Sequence, residues 1–185
     1  MQFKETEEQT MIREMVRSFA EEELAPTCLE RDKNQIPPIE EWKSFCEKTG
    51  LQGITIPEEY GGSPVDDISE SIIIEELARV DPSFSVMFCV HVGLCAKTIE
   101  IHGNEAQKKK YLTRLAGDEI GAYSLSEAGS GTDAASMICK AEQSDDGSHY
   151  ILNGEKMWVT NGSSADIYVL FAKDVDHPEY GVKRH

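Results

Sequence analysis

Tyr150-Ile151-Leu152-Asn153-Gly154-Glu155-Lys156-Met157-Trp158 decides how the second half of this 185-residue chain is read. Two short apolar runs flank an Asn-Gly pair, which is the grammar of a hairpin, because both central residues of a type I′ turn need positive φ. Around it, Tyr123 to Ser126, Met137 to Ala141 and Ile167 to Phe171 are further short runs divided by Gly, Asn, Asp and Ser. Such spacing predicts an antiparallel sheet. With Tyr150 to Leu152 and Met157 to Thr160 that makes about five strands, too few to close a barrel comfortably, so the sheet reads as unfinished.

Upstream the period changes from strand to helix. Met11, Ile12, Met15, Val16 and Phe19 recur at helical spacing behind a Thr6/Gln9 capping box, predicting a helix to about Glu30. Pro37-Pro38 opens a second helix with Ile39, Trp42, Phe45 and Cys46 on one face, and Gly50 ends it. Ile56 to Gly62 reads as an ordered loop. Asp67 with Glu70 repeats the capping spacing before Ile68, Ile72, Ile73 and Leu77, Asp81-Pro82 starts a helix reaching His102, and Asn104 caps one ending at Gly117. The expected fold class is therefore α+β, with an all-helical amino-terminal domain over 1–117 and an incomplete antiparallel β-domain over 118–185.

Composition narrows the function. Eighteen Lys and Arg stand against 34 Asp and Glu, a net charge of −16, which argues against nucleic acid and against an anionic membrane surface as partners. The longest nearly apolar stretch, Phe84 to Ala96, falls short of the ~20 residues that cross a bilayer, so no membrane span is expected. Met1 to Glu8 follows neither the secretory nor the transit-peptide plan, and the expected location is cytoplasmic. Five cysteines, an odd number with no Cys-x-x-Cys pair, read as reduced thiols. The five histidines have no metal-ligand spacing, so no metal is expected, and Lys108-Lys109-Lys110 reads as a solvated helix face.

Two segments carry chemistry. Ser126-Glu127-Ala128-Gly129-Ser130-Gly131-Thr132-Asp133 offers glycines and hydroxyls after the first strand, where exposed N–H groups bind phosphate. The same residues also read as a plain turn. Gly129-x-Gly131-x-x-Ala134 matches a dinucleotide fingerprint in letters, but the helix that such a site needs does not follow. In Met157-Trp158-Val159-Thr160-Asn161-Gly162 a strand would put Trp158 and Thr160 on one face, which in isolation favours an ordinary β-core over a planar heteroaromatic ligand, and it is the phosphate-type loop nearby that raises the ligand reading.

Tyr123 to Asp133 resembles the first signature of the acyl-CoA dehydrogenases, and Trp158-Val159-Thr160-Asn161-Gly162, preceded by Asn153-Gly154-x-Lys156, resembles their flavin segment. Pro57-Glu58-Glu59-Tyr60-Gly61-Gly62, Glu75-Glu76-Leu77-Ala78 and His102-Gly103-x-x-x-Gln107-Lys108-x-x-Tyr111-Leu112 fit as well. The resemblance implies a third, carboxy-terminal helical domain and FAD as cofactor. It also implies α,β-dehydrogenation of an acyl-CoA thioester to the trans-2-enoyl-CoA, with electrons passed to an electron-transferring flavoprotein.

Carried over by position, Tyr123, Ser124, Leu125, Ser126, Glu127, Gly131 and Thr132 form the strand and loop that hold the cofactor. Ser126 faces the flavin pyrimidine edge, and Thr132 lies at the cofactor and CoA phosphates. Trp158 lies against the isoalloxazine with Val159 beside it, and Thr160 points toward N5. The resemblance is closest to the short and branched-chain members, of fatty acid β-oxidation and branched-chain amino acid catabolism, where Tyr180 contacts substrate. Phe84, Met87, Phe88 and Leu94 are expected to limit acyl length. The family's catalytic base falls beyond His185, so none is assigned here. A complete form is expected to be a homo-oligomer, a tetramer, in the mitochondrial matrix if it is a processed eukaryotic protein. An inactive flavin- or CoA-binding fragment and an oxidase-like flavoenzyme are the alternatives.

Overall fold

The computed structural model describes residues 4–175. Helices fill its first two thirds: α1 (Glu7–Phe19), a π-helical turn Ala20–Leu24, α2 (Cys28–Asn34), α3 (Ile39–Thr49), α4 (Asp67–Val80), α5 (Pro82–Cys89), α6 (Lys97–His102) and α7 (Glu105–Leu115). The strands β1 (Gly121–Ser124), β2 (Lys140–Gln143), β3 (Tyr150–Asn153), β4 (Ile167–Leu170) and β5 (Lys173–Asp174) follow. The helix-then-sheet class read from the sequence holds.

Local chemistry sets the helix ends. Thr6 and Gln9 form the reciprocal capping box in front of α1, and Asn104 and Gln107 form another in front of α7, each satisfying two otherwise orphaned N–H groups. Gly50 closes α3 in the left-handed region at φ 67°. At α4 the cap lies one residue earlier than expected: Asp66, not Asp67, accepts from the Ile68 and Ser69 N–H groups. The helix predicted from Thr6 to Glu30 breaks after Leu24, where a π-helical turn ends and α2 begins at Cys28.

Pro82–His102 is one continuous 21-residue helix, α5 and α6 joined by the π-helical stretch Val90–Ala96. It is long and apolar enough to cross a bilayer, so the sequence argument from length underestimated it. In this protein half of its most apolar stretch is buried, with Phe84, Phe88, Val92, Cys95 and Ala96 fully so. Phe45 meets Phe84 at 5.5 Å and Phe88 at 5.6 Å between ring centroids, both edge-on, and Phe19 and Trp42 complete the aromatic core. Edge-on rings direct their positive rims at their neighbours' negative faces.

The helical body seats β1 directly. A side chain at Gly121 would place its Cβ 2.7 Å from Cys95 Cβ, so only glycine lets β1 lie this close to the helix. His91, fully buried, receives a hydrogen bond on Nδ1 from the Gly121 N–H at 3.1 Å and offers Nε2–H to the Gln52 carbonyl at 3.2 Å. Burial drives its pKa down to about 4 and keeps it neutral, which this pairing requires.

The sheet differs from expectation. β1 pairs with β4 in parallel, Gly121 opposite Ile167. β2 pairs antiparallel with β3 and parallel with β5. The antiparallel hairpin therefore turns at Asp145-Asp146-Gly147, where Gly147 has φ 68° and Asp146 accepts from the Ser144 hydroxyl and the Ser148 N–H. Asn153-Gly154 makes no hairpin turn, because only Gly154 has positive φ, at 152°. Gly154 lies instead against Cys139, whose Cα would be 2.6 Å from an added Cβ. Met157 to Thr160, the expected partner strand, is an irregular segment entering a turn.

Candidate functional site

β1 ends at Ser124 and delivers Leu125, Ser126 and Glu127 into a loop that doubles back on itself: the Glu127 N–H donates to Ser130 O at 2.9 Å and the Ser130 N–H to Glu127 O at 3.1 Å. The outer limb, Ala128 and Gly129 with Gly131 to Asp133, is exposed. A Cβ added at Gly129 or Gly131 would meet nothing within 4 Å. Neither glycine has the positive φ that would demand it, so the chain's own packing does not require glycine at either place. Among the described residues no backbone carbonyl accepts from the N–H of Gly129, Gly131 or Thr132.

The inner limb is fastened down. The Glu127 carboxylate, 3% exposed, accepts from the Ile138 N–H at 2.6 Å, the Cys139 N–H at 3.0 Å and the Lys156 ammonium at 2.7 Å. The Ile138 N–H first and Lys156 second hold its pKa down to about 2. A carboxylate so held is a poor proton acceptor, and the geometry makes Glu127 a structural strut with no role as a base. Lys156 also donates to Leu125 O at 2.9 Å, and the Met157 N–H donates to Ser126 O at 2.8 Å. These bonds bring the two sequence motifs together.

Trp158 follows in the left-handed region at φ 58° with 85% of its surface exposed. Its ring packs in no core, and the shared strand face expected for Trp158 and Thr160 does not exist. Val159 and Thr160 turn toward α5 and line, with Ser83, Met87 and Pro38, a hollow of about 400 Å³. Asn161, also left-handed at φ 64°, closes the turn by donating from Nδ2 to Met87 O at 3.1 Å and Gly121 O at 2.9 Å. Tyr123 packs its half-buried ring on Phe171 at 5.0 Å, and Ser124 is buried.

Thr132 stands exposed on the loop, and Tyr180 lies outside the described residues. The expected acyl-limiting set divides. Phe84 and Phe88 are fully buried in the aromatic core, whereas Leu94 is 43% exposed and Met87 borders the hollow beside Thr160. Sequence reasoning missed Lys156 and Asn161 as joints. The Asn161-Gly162 pair was a turn signal, but nothing local marked Lys156 as the partner of Glu127, 29 residues away. Among the described residues no group of three His, Cys, Asp or Glu side chains is placed to hold a metal ion.

Residues 6–119 match the acyl-CoA dehydrogenase N-terminal domain, and residues 122–184 match the acyl-CoA dehydrogenase middle domain. The chain is 43% identical over 173 residues to the short-chain specific acyl-CoA dehydrogenase of Clostridium acetobutylicum, covering 93% of this chain and 45% of that protein. It is 40% identical to the mitochondrial isovaleryl-CoA dehydrogenase of Pongo abelii, covering 91% and 40%. Among solved structures, one described as the electron transferring flavoprotein of Acidaminococcus fermentans superposes with a TM-score of 0.87 at 44% identity, covering 94% of this chain and 45% of that one. The acyl-CoA dehydrogenase of Bacillus anthracis complexed with FAD gives a TM-score of 0.86 at 37% identity, covering 92% and 29%. The chain thus spans less than half the length of the curated relatives it matches, and on these matches it belongs to the acyl-CoA dehydrogenase family.

Proposed function

We propose that this chain is the amino-terminal and flavin-holding part of an FAD-dependent dehydrogenase. Its substrate is a short or branched-chain acyl-CoA, and its electrons go to an electron-transferring flavoprotein. The observation that carries the reading is the Trp158 indole, 85% exposed and joined through Met157 and Lys156 to a loop whose glycines leave open space. An exposed indole is a large apolar surface left in water unless a flat partner covers it.

The residues fit FAD. The N–H groups of Gly129, Gly131 and Thr132, which no backbone carbonyl among the described residues engages, would suit a pyrophosphate together with the Thr132 hydroxyl, since exposed backbone N–H groups in a loop can bind phosphate. Ser126 and Leu125 would hold the pyrimidine edge, Trp158 and Val159 one side of the ring system, and Thr160 would donate toward N5, while Tyr123 and Ser124 support the strand from below. FAD, once bound, supplies the hydride acceptor. This chain's residues bind and orient it, and Glu127, committed to Lys156 and two N–H groups, keeps the loop in register without moving a proton. Short-chain and isovaleryl relatives favour a short or branched acyl group. Five free cysteines, two of them buried, fit a reducing compartment such as the cytoplasm.

The test is the visible absorption of a protein of natural length after incubation with FAD and desalting, followed by butyryl-CoA, 2-methylbutyryl-CoA or octanoyl-CoA. Retained flavin that bleaches with the first two supports the reading. A protein of natural length that retains no flavin sinks it, and retained flavin bleached only by octanoyl-CoA sinks the substrate class.

A further inference from the structure

We infer that Lys156 is a positioning residue that polarises the Leu125–Ser126 peptide and thereby raises the reduction potential of the flavin held there, an inference resting on the FAD reading above. Three observations lead to it. Lys156 and Glu127 are buried together, at 7% and 3% side-chain exposure, with Nζ donating to Glu127 Oε1 at 2.7 Å and to Leu125 O at 2.9 Å. The Met157 N–H occupies Ser126 O at 2.8 Å, so both carbonyls flanking the Ser126 amide point toward the 156–157 segment. Among the described residues nothing accepts from the Ser126 N–H.

A trans peptide is planar with its C=O and N–H directed oppositely. A cation fixed on the Leu125 carbonyl therefore leaves the Ser126 N–H facing away from Lys156, as the open end of the same amide. It also withdraws electron density, which strengthens that N–H as a donor. A stronger donor favours the more electron-rich of two ligand states, and for a flavin that is the reduced one. The pair also fastens the loop, since Glu127 satisfies the Ile138 and Cys139 N–H groups, so a structural role and a tuning role are separated only by reading stability and potential side by side. The carboxylate of Glu127 completes the device by keeping the ammonium aimed.

The experiment compares the FAD-loaded protein with Lys156→Gln, which keeps a donor for Leu125 but loses the charge, and with Lys156→Arg, which keeps both. Midpoint potential, FAD affinity and thermal midpoint are read for each. The expected result for Lys156→Gln is a roughly tenfold loss of preference for reduced over oxidised flavin, a fall of about 30 mV for a two-electron couple. Lys156→Arg should restore most of it. A lower thermal midpoint with an unmoved potential overturns the inference and leaves Lys156 as mere support. Should Lys156→Gln fail to fold, Glu127→Gln combined with Lys156→Gln removes both charges and is read the same way. If the unmodified protein retains no flavin, the FAD reading falls and takes this inference with it. Retained flavin with an unmoved potential removes the inference alone.

Discussion

The helical body and the strand region solve the problem of burial in opposite ways. In the helices Trp42, Phe45, Phe84, Phe88, Leu77, Leu112 and Leu115 are fully buried, and the ends are capped by residues a few positions away. In the strand region Tyr150, Ile151 and Leu152 are each more than half exposed, Ile138 is 74% exposed and Trp158 85%. Large apolar groups left in water mark surfaces that something else covers. The largest fully buried side chains lie in the helical body, and the strand region leaves its large apolar groups at the surface.

The largest expected effect probes the helical body. Phe84→Ala removes the ring that contacts Phe19, Trp42 and Phe45 and should cost about 3–5 kcal/mol, through lost transfer energy plus the cavity left behind. Urea unfolding followed by the fluorescence of Trp42, in a Trp158→Phe background, measures it. A cost under about 1 kcal/mol would mean that the aromatic core is loose, and the contrast would break.

The seam between the regions comes next. The folded protein holds His91 neutral with a pKa pushed down to about 4, from an ordinary 6.5, by burial. The unfolded chain therefore takes up a proton, which the folded one refuses, as pH falls through 6.5. Stability is full above that value and declines toward pH 4, by an amount on the order of 3 kcal/mol. Unfolding measured from pH 7 to 4.5 should show this slope, and His91→Gln should flatten it. An unchanged slope in the variant would show that another group governs the seam.

What was legible in the sequence follows the same division. Helix ends are set by neighbours in the chain, so Thr6 with Gln9, Gly50, and Asn104 were readable, and Asp66 was missed only because Asp67 stands beside it. Strand pairing is set by distant partners. The pairing of β1 with β4 joins Gly121 to Ile167, and the Glu127–Lys156 strut joins two segments with no local sign of each other. Asn153-Gly154 misled because a glycine demanded by close approach to Cys139 looks, in letters, like one demanded by a turn. The motifs themselves were legible, since Ser126 to Thr132 and Trp158 to Thr160 meet through Met157 and Lys156. Their geometry was not: Trp158 reaches the surface through a left-handed residue, where a strand had been expected.

The smallest stability effect tests the strand region most sharply. Trp158 is as large as Trp42, yet 85% exposed where Trp42 is fully buried. Trp158→Ala should therefore change stability without FAD by less than about 0.5 kcal/mol, as surface changes usually do. In the presence of FAD the two proteins should part. A ligand that binds only the folded state raises stability with the logarithm of its concentration over Kd, so the unmodified protein gains thermal midpoint as FAD is added and the variant gains less. Thermal scans across an FAD series read both numbers at once. A cost above about 1.5 kcal/mol without FAD would show that the ring packs within the chain and that the strand region owns a core. Equal gains with FAD would remove Trp158 from the cofactor surface, leaving the loop from Ser126 to Thr132 to hold it alone.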